Sequence, residues 1–320
     1  MIERLNHFKR VGVLGMNCRN SEYIMRYNPR STYPLVDNKI NTKQLAAKHN
    51  VPVPTLYYVI NHHGDLANLE KIIGDRSRFV VKPSRGAGGS GLVLVTDRAA
   101  EGFIVQNGMI ISQEDLNYHI SDILSGIHSL SGLEDAAMIE ALISPDPVFA
   151  AVSYEGIPDI RIVVYRGVPV MGMVRLPTEA SDGKANLHRG AIGAGIDISS
   201  GRTGVAVHGP NVVTHHPDTG RPVGGIQVPY WEKILLIAAL SFEMTGLGYL
   251  GVDVVIDREH GPLLLELNAR PGLGIQIANM AGLRSRLETT DAAPPAIFTD
   301  PETRVSWAMR EFIDKDRLPS

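Results

Sequence analysis

The chain has 320 residues, 44% hydrophobic and 20% charged, with a formal net charge of -3. That composition fits a globular protein of two or three compact lobes and excludes disordered and fibrous classes. It leaves no global basic field to attract nucleic acid or an anionic membrane, so no nucleic-acid partner is expected and any basic site must be local.

The longest apolar run, ILLIAAL at 234–240, falls far short of the roughly 20 residues that cross a bilayer, and MIERLNHFKR at 1–10 lacks the apolar core of a signal peptide. A cytoplasmic location is therefore expected. The single cysteine, Cys18, excludes an intramolecular disulfide and a cysteine-rich metal site, and reads as a small buried apolar residue.

In chain order, a polar segment (1–36) precedes a short helix at NTKQLAAKHN, which VPVP ends by forcing an extended exit. TLYYVI predicts a strand, LANLEKII a helix, and RFVVK and LVLV two further strands. Asn107-Gly108 predicts a hairpin turn. Ser112 to Leu130 opens with Ser-x-x-Asp, close to a capping box, and carries apolar residues at helical spacing. AAMIEALI predicts a strand running into SPDPVF, which makes residues 140–149 the hinge between two lobes. Beyond it come the strands DIRIVVYRG and VPVMGMVRL, a polar loop at 178–191, a helix opened by Pro229, and the strand pair GVDVVID and PLLLELN. A Pro, Ala and Thr-rich stretch (289–302) then leads to an amphipathic segment, VSWAMREFI. The expected division is 1–36, 37–139, 140–288 and 289–320, in an α+β fold without internal repeats.

Two motifs carry chemistry. In RFVVKPSRGAGGSGLVLV, Gly86, Gly88 and Gly91 satisfy GxGxxG, yet a dinucleotide site needs a helix after the last glycine, and Leu92 to Val95 favour a strand. A Walker loop needs Gly-Lys-Ser/Thr, and Gly91 is followed by Leu. What remains is a hairpin whose mobile tip, Ser84, Gly86, Gly88, Gly89, Ser90 and Gly91, can lie over a polyphosphate and donate backbone N–H groups, with Lys82 at its start to meet a phosphate oxygen. A plain surface hairpin with a glycine-rich tip is the alternative.

The second motif is GVDVVIDREHGPLLLELNARPG at 251–272. With Asp257 to Pro262 as the turn, Ile256 pairs with Leu263 and Asp253 falls opposite Glu266, while Asn268 shares that face. Two carboxylates about 5 Å apart repel by about 3 kcal/mol at an effective dielectric of 20, which calls for a cation or a shared proton. Oxygen ligands without His or Cys suit Mg²⁺, and a hard cation between acids implies a phosphate partner. Solvated acids on an exposed strand face are the alternative.

Strand, Lys-Pro, glycine flap, then Asp and Glu-x-Asn-x-Arg in that order resembles the ATP-grasp superfamily of ligases. DIR at 159–161 and NLHRGA at 186–191 are similar to its RimK-type branch, which includes alpha-L-glutamate ligases. The resemblance, covering about Asp37 to Gly274, implies two α+β lobes gripping ATP. It implies that Lys39 and Lys82 reach the nucleotide, that Glu140, Ala141 and Leu142 form the hinge at the adenine, and that Asp159 lies near the nucleotide. Lys184, Ala185 and Asn186 fall on the family's Arg-x-Asn segment near the phosphates. Asp253, Glu266 and Asn268 match ligands of Mg²⁺ or Mn²⁺, with two ions per site.

The implied reaction moves the γ-phosphoryl of ATP to a small-molecule carboxylate, such as an amino acid, and an amine, of a peptide or protein among others, then attacks the acyl phosphate to form an amide. Lys82, Arg189 and Arg270 would act on the transferred group, and Arg161, Arg189, Arg270, Arg19 and Arg30 on the substrate, with surface or ion-pair structure the alternative for Arg161, Arg189 and Arg270. An ATP-grasp kinase acting on a hydroxyl and a non-catalytic ATP-binding regulatory module are the alternatives. The chain departs from the family's ligases in three ways. Their separate N-terminal domain is expected to be short, absent or replaced, the interval between hinge and DIR is longer, and Arg270 stands where the glutamate ligases have a small residue. Arg19, Arg26 and Arg30, interleaved with Asn17, Asn20 and Asn28, would either capture an acidic substrate or brace the lobes. The His62-His63 and His215-His216 pairs read as loop residues rather than ligands. An oligomer is compatible with all of this.

Overall fold

The computed structural model describes residues 11–86, 88–129 and 132–313. The reading of MIERLNHFKR lies outside the described residues, as does the end of the predicted Ser112 to Leu130 helix. The described residues fall into two compact units, one comprising Asn38–Ile40 with Val53–Ile143, the other the described parts of Met1–Asp37, Asn41–Pro52 and Ser144–Ser320. Helix α1 (Lys39–Lys48) is shared between them.

The smaller unit is a six-stranded antiparallel sheet in the order β1-β6-β2-β3-β4-β5. Its strands are β1 (Leu56–Ile60), β2 (Phe79–Pro83), β3 (Val93–Ala99), β4 (Gly102–Val105), β5 (Ile110–Ile111) and β6 (Ala137–Glu140). Helices α2 (Leu69–Ile73) and α3 (Gln113–Leu124) cover one face. Leu116, Ile120, Ile123 and Leu124 recur at helical spacing and pack on Phe79, Val81, Ala137 and Ile139, the alternate residues of β2 and β6. Lys82 and Glu140 therefore point from the opposite face. The capping box forms as the sequence predicts, with Ser112 accepting from the Asp115 N–H and Asp115 from the Ser112 N–H. The helix ends at Leu124, short of the predicted Leu130, where Gly126 turns to φ +80°.

The larger unit is a seven-stranded antiparallel sheet in the order β11-β10-β9-β8-β7-β12-β13. It comprises β7 (Asp159–Tyr165), β8 (Val168–Leu176), β9 (Ile192–Ile196), β10 (Thr203–His208), β11 (Asn211–Val213), β12 (Tyr249–Asp257) and β13 (Gly261–Asn268). Helix α4 (Trp231–Thr245) packs on the face carrying Ile162 and Gly172. Helices α5 (Gly274–Asn279), α6 (Arg284–Asp291) and α7 (Pro301–Glu311) complete the unit, and SPDPVF contains a short helix, Pro147–Ala150, capped by Asp146. Among the described residues no helix is long and apolar enough to cross a membrane.

The polar segment before α1 is built into this unit. Asn28, 3% exposed, donates to the carbonyls of Tyr249 and Ala269 and accepts from the Tyr249 N–H. A π-helical turn, Arg19–Ile24, presents Tyr23 to Tyr165 and Tyr249. Cys18 is only half-buried, against the expectation of a buried apolar residue, because it lies on a short surface helix, Met16–Cys18, that buries none of its residues.

Candidate functional site

One group of chemically active side chains occupies the face of the large sheet opposite α4. Cross-strand register aligns it: Arg175 on β8 faces Asp159 on β7, Arg161 on β7 faces Asp253 on β12, and Asp253 faces Glu266 on β13. Asp159 and Arg161 are two residues apart and so share a face. The Asp253 to Glu266 pairing is the one the sequence predicts, but the turn is tighter. Ile256 pairs with Pro262 rather than Leu263, and Asp257 with Gly261, because Gly261 adopts φ +72° and closes the hairpin early. A β-bulge between Asp253 and Val254, opposite Leu265, then restores Asp253 to Glu266. Opposite Asn268 stands Gly251, where a Cβ would lie 2.6 Å from Pro271. Only glycine leaves room there for the chain leaving β13.

Asp253 is fully buried and is held by two guanidinium groups. Arg161 Nε and Nη2 donate to its two oxygens at 2.7 and 2.5 Å, and Arg175 Nη2 donates at 2.9 Å. Arg175 also donates through Nε and Nη2 to Asp159, both at 2.5 Å. Burial acts to raise the pKa of Asp253, but Arg161 and Arg175 outweigh it and hold the carboxyl well below the usual carboxylate range. Asp159 shares only one of those arginines, and burial pushes its carboxyl up to about 6 against the pull of Arg175. Arg161, expected to meet substrate, is thus an ion-pair partner. Arg175 was not singled out in the sequence at all. Its signal was a lone charge at the end of an otherwise apolar strand, which a buried position obliges to find a partner.

Asn268 Nδ2 lies 3.4 Å from Asp253 and 3.5 Å from Glu266, so the three expected cation ligands do come together. Glu266 and Asn268 are half-buried. As a donor set, two carboxylates and an amide suit a hard cation, with a half-turn of the amide presenting its oxygen. Among the described residues no group of three or more His, Cys, Asp or Glu side chains could hold a metal ion, and this set of two carboxylates and an amide leaves the octahedral shell of Mg²⁺ to be completed by other oxygens, those of phosphate or water.

The polar loop at 178–191 is ordered by caps. Thr178 accepts from the Ser181 N–H and donates to the Gly190 carbonyl, and Asn186 accepts from the His188 N–H. Lys184 pairs with Asp182 at 2.5 Å, and Arg189 is exposed. Arg270 is exposed and stands over the Tyr33 ring at 5.1 Å. Arg19 donates to the Pro271 carbonyl at 2.8 Å, which makes it a brace, and Arg30 is exposed on a short 3-10 turn. His216, read as a loop residue, is buried and bonded to the Pro177 carbonyl.

A second group lies in the smaller unit. Lys82 Nζ is 2.7 Å from Glu140 Oε2, with both side chains nearly buried. Their backbones are diagonal neighbours, two residues off directly opposite, since Val80 pairs with Glu140 and Lys82 with Met138. The Glu140 carboxylate thus turns toward Lys82, while the Ala141 N–H bonds the Thr55 carbonyl. Leu142 follows in the non-strand segment after β6.

The flap runs from Ser84 to Leu92. Ser84 is not a free hydroxyl, because it donates to the buried Asp135 at 2.5 Å, and Asp135 also accepts from the Arg85 N–H and the Ser129 hydroxyl. Lys39 Nζ donates to the Gly86 carbonyl at 2.5 Å, tying α1 to the start of the flap. Gly88, Gly89 and Gly91 all adopt positive φ, in the left-handed region that leaves their N–H groups unused by a strand. At the far end His119 Nε2 is 2.9 Å from the Gly91 carbonyl, and Ser90 meets His128 at 3.3 Å. Burial lowers the pKa of His119, so at neutral pH it is an uncharged donor to that carbonyl.

Comparison with known proteins bears on both groups. The model of a family described as sugar-transfer associated ATP-grasp matches residues 18–292. A probable alpha-L-glutamate ligase of Sodalis glossinidius is 25% identical over 244 residues, 76% of this chain and 60% of that protein. Another, from Aeromonas salmonicida, is 26% identical over 248 residues, covering 76% and 59%. The chain thus spans about 60% of the length of these curated relatives. Among solved structures, the ATP-grasp ligase PsnB complexed with minimal precursor matches with a TM-score of 0.44 and 14% identity, covering 83% of this chain and 63% of that one.

Proposed function

The chain belongs to the sugar-transfer-associated ATP-grasp family, with its α+β fold, and from that membership we propose that it is an ATP-dependent carboxylate-amine ligase. The observation that carries the reading is the convergence of Asp253, Glu266 and Asn268 on one sheet face of the larger unit. Two acids and an amide placed together have a use where polyphosphate charge must be neutralised. The names of the curated relatives support an amino acid, of the glutamate type, as the carboxylate donor. The amine acceptor is an amino acid, a peptide or a protein.

In this reading a carboxylate oxygen of the donor attacks the γ-phosphorus of ATP, the bond to the β-phosphate oxygen breaks, and ADP leaves. The amine nitrogen then attacks the acyl carbon, the acyl C–O bond breaks, inorganic phosphate leaves and the nitrogen loses a proton. No side-chain nucleophile is needed, so the chain's work is positioning and charge neutralisation. Mg²⁺ or Mn²⁺, one ion or two, would supply charge neutralisation on the phosphates, held by Glu266, Asn268 and Asp253.

Lys82 offers its ammonium to a phosphate oxygen, and Glu140 orients that ammonium in a nearly buried setting. Backbone N–H groups of Gly88, Gly89 and Gly91 receive phosphate oxygens, and the flap excludes water that would hydrolyse the acyl phosphate. Asn186 and Lys184 serve the phosphates, and Arg189 and Arg270 the transferred group or the donor carboxylate. The smaller unit, Asn38–Ile40 with Val53–Ile143, then acts as the flap lobe rather than 37–139, and the larger unit, which carries β12 and β13, as the cation lobe rather than 140–288.

The test is incubation with ATP, Mg²⁺ and a panel of amino acids and peptides. An amide product with stoichiometric ADP and phosphate is expected. A phosphorylated hydroxyl would assign a kinase instead, and ATP binding without ADP release from any combination would assign a binding module.

A further inference from the structure

The charge ladder on the large sheet is not symmetric about Asp253. Arg175 is shared, with two hydrogen bonds to Asp159 and one to Asp253. Arg161 gives both of its bonds to Asp253, one to each oxygen, in the fork geometry that suits a carboxylate. Arg175 has a second carboxylate to keep it in place, whereas among the described residues both hydrogen bonds of the Arg161 guanidinium go to Asp253.

Across the strands from this carboxylate stands Glu266, with Asn268 beside it. A small hard cation held by Asp253, Glu266 and Asn268 needs carboxylate lone pairs that point between the two strands. Arg161 already takes one acceptor site on each oxygen and Arg175 a third, which leaves the carboxylate about one of its four lone-pair sites for an ion. The fork and the ion are alternatives at Asp253.

We propose that Arg161 is a positioning residue that occupies Asp253 in place of the divalent cation, so that the cation reaches this carboxylate only by exchange with the Arg161 guanidinium. The inference rests on the cation-site reading above and deepens it. Arg175, anchored by Asp159, stays on Asp253 throughout and keeps its side chain aimed. The displaced fork has the shape to take a phosphate. Cation and nucleotide therefore bind together, and the chain without nucleotide is a weak cation binder.

The direct test is Mn²⁺ binding without nucleotide, followed by the paramagnetic resonance signal of free Mn²⁺, for the wild type, Arg161→Met, Glu266→Gln and the double variant. Arg161→Met is expected to bind Mn²⁺ at least about tenfold more tightly than the wild type, the scale of one lost charged competitor. The double variant is expected to lose that gain. Equal or weaker binding by Arg161→Met, with circular dichroism unchanged, overturns the exchange while leaving the cation site standing. A gain that survives in the double variant places the ion elsewhere and overturns both.

Should Arg161→Met fail to fold, the wild type answers through the arginine Nε–H resonances. On adding Mg²⁺ and ADP, the Arg161 Nε–H resonance is expected to shift as the fork leaves Asp253, while that of Arg175 stays in place. An Arg161 Nε–H resonance unmoved at saturating Mg²⁺ and ADP overturns the proposal. These readouts are independent of any ligase turnover, so the panel assay can fail without deciding them.

Discussion

Asp253 on β12 stands directly opposite Glu266 on β13, and the β-bulge beside Asp253 is what places it there. The tight end of the hairpin alone would set Leu265 across from Asp253 and a carboxylate would face nothing. The two acids nevertheless live in different surroundings, one fully buried against two arginines and the other half-buried, and their substitution has different consequences.

Glu266→Gln is expected to lower turnover by about 100-fold or more at a smaller cost in stability than Asp253→Asn, since Glu266 is half-buried where Asp253 is fully buried between two arginines. Asp253→Asn is expected to abolish turnover and also to destabilise the larger unit by about 3–5 kcal/mol, because Arg161 and Arg175 lose their shared carboxylate. Chemical denaturation alongside ATP turnover separates the two. Equal stability losses would contradict the burial argument.

In the smaller unit, Lys82→Met is expected to remove turnover and to cost about 3–5 kcal/mol, since Glu140 stays behind as a buried carboxylate. Lys82→Met with Glu140→Gln is expected to recover part of that stability and none of the turnover. A double-mutant cycle on denaturation midpoints measures the coupling.

Asn28→Ala is expected to destabilise by about 3 kcal/mol, because three hydrogen bonds to the backbone of Tyr249 and Ala269 go with it and their groups are left buried. Arg30→Ala, on the same segment but exposed, is expected to change stability by less than about 0.5 kcal/mol. Similar losses for both would contradict the bracing role of Asn28.

Gly91→Ala tests the flap. Gly91 has φ +71°, and a Cβ there would lie 2.6 Å from His128 Cγ. Strain of that kind is expected to raise the KM for ATP roughly tenfold without moving the main unfolding transition. His128→Ala added to it relieves the contact but not the dihedral, so recovery is expected to be partial.

Much of this was legible because local signals agreed with burial. The β2 to β3 flap, the capping box at Ser112 and the facing of Asp253 and Glu266 follow from glycine placement, cap chemistry and period-two alternation. Strands β9, β10 and β11 were not, since IGAGI and TGVAVH carry glycine and alanine where strand-forming side chains would advertise them. Helix α3 stops at Leu124 though its apolar spacing continues, because Gly126 takes a conformation that no helix contains. The ladder from Arg175 to Asp253 was hidden for a different reason. Its partners are 78 and 92 residues apart, and only strand order reveals that they meet. For Arg161 the sequence consequently leaves a substrate group and an ion-pair partner as alternatives.

The central claim is the acyl phosphate, and the most direct measurement is oxygen transfer from the donor carboxylate. With glutamate, and each other carboxylate of the panel, labelled with oxygen-18 in the carboxyl group, turnover with ATP, Mg²⁺ and the amine is predicted to deliver one labelled oxygen into inorganic phosphate for every amide formed. Amide formation with unlabelled phosphate, or phosphate carrying oxygen from water, would contradict it.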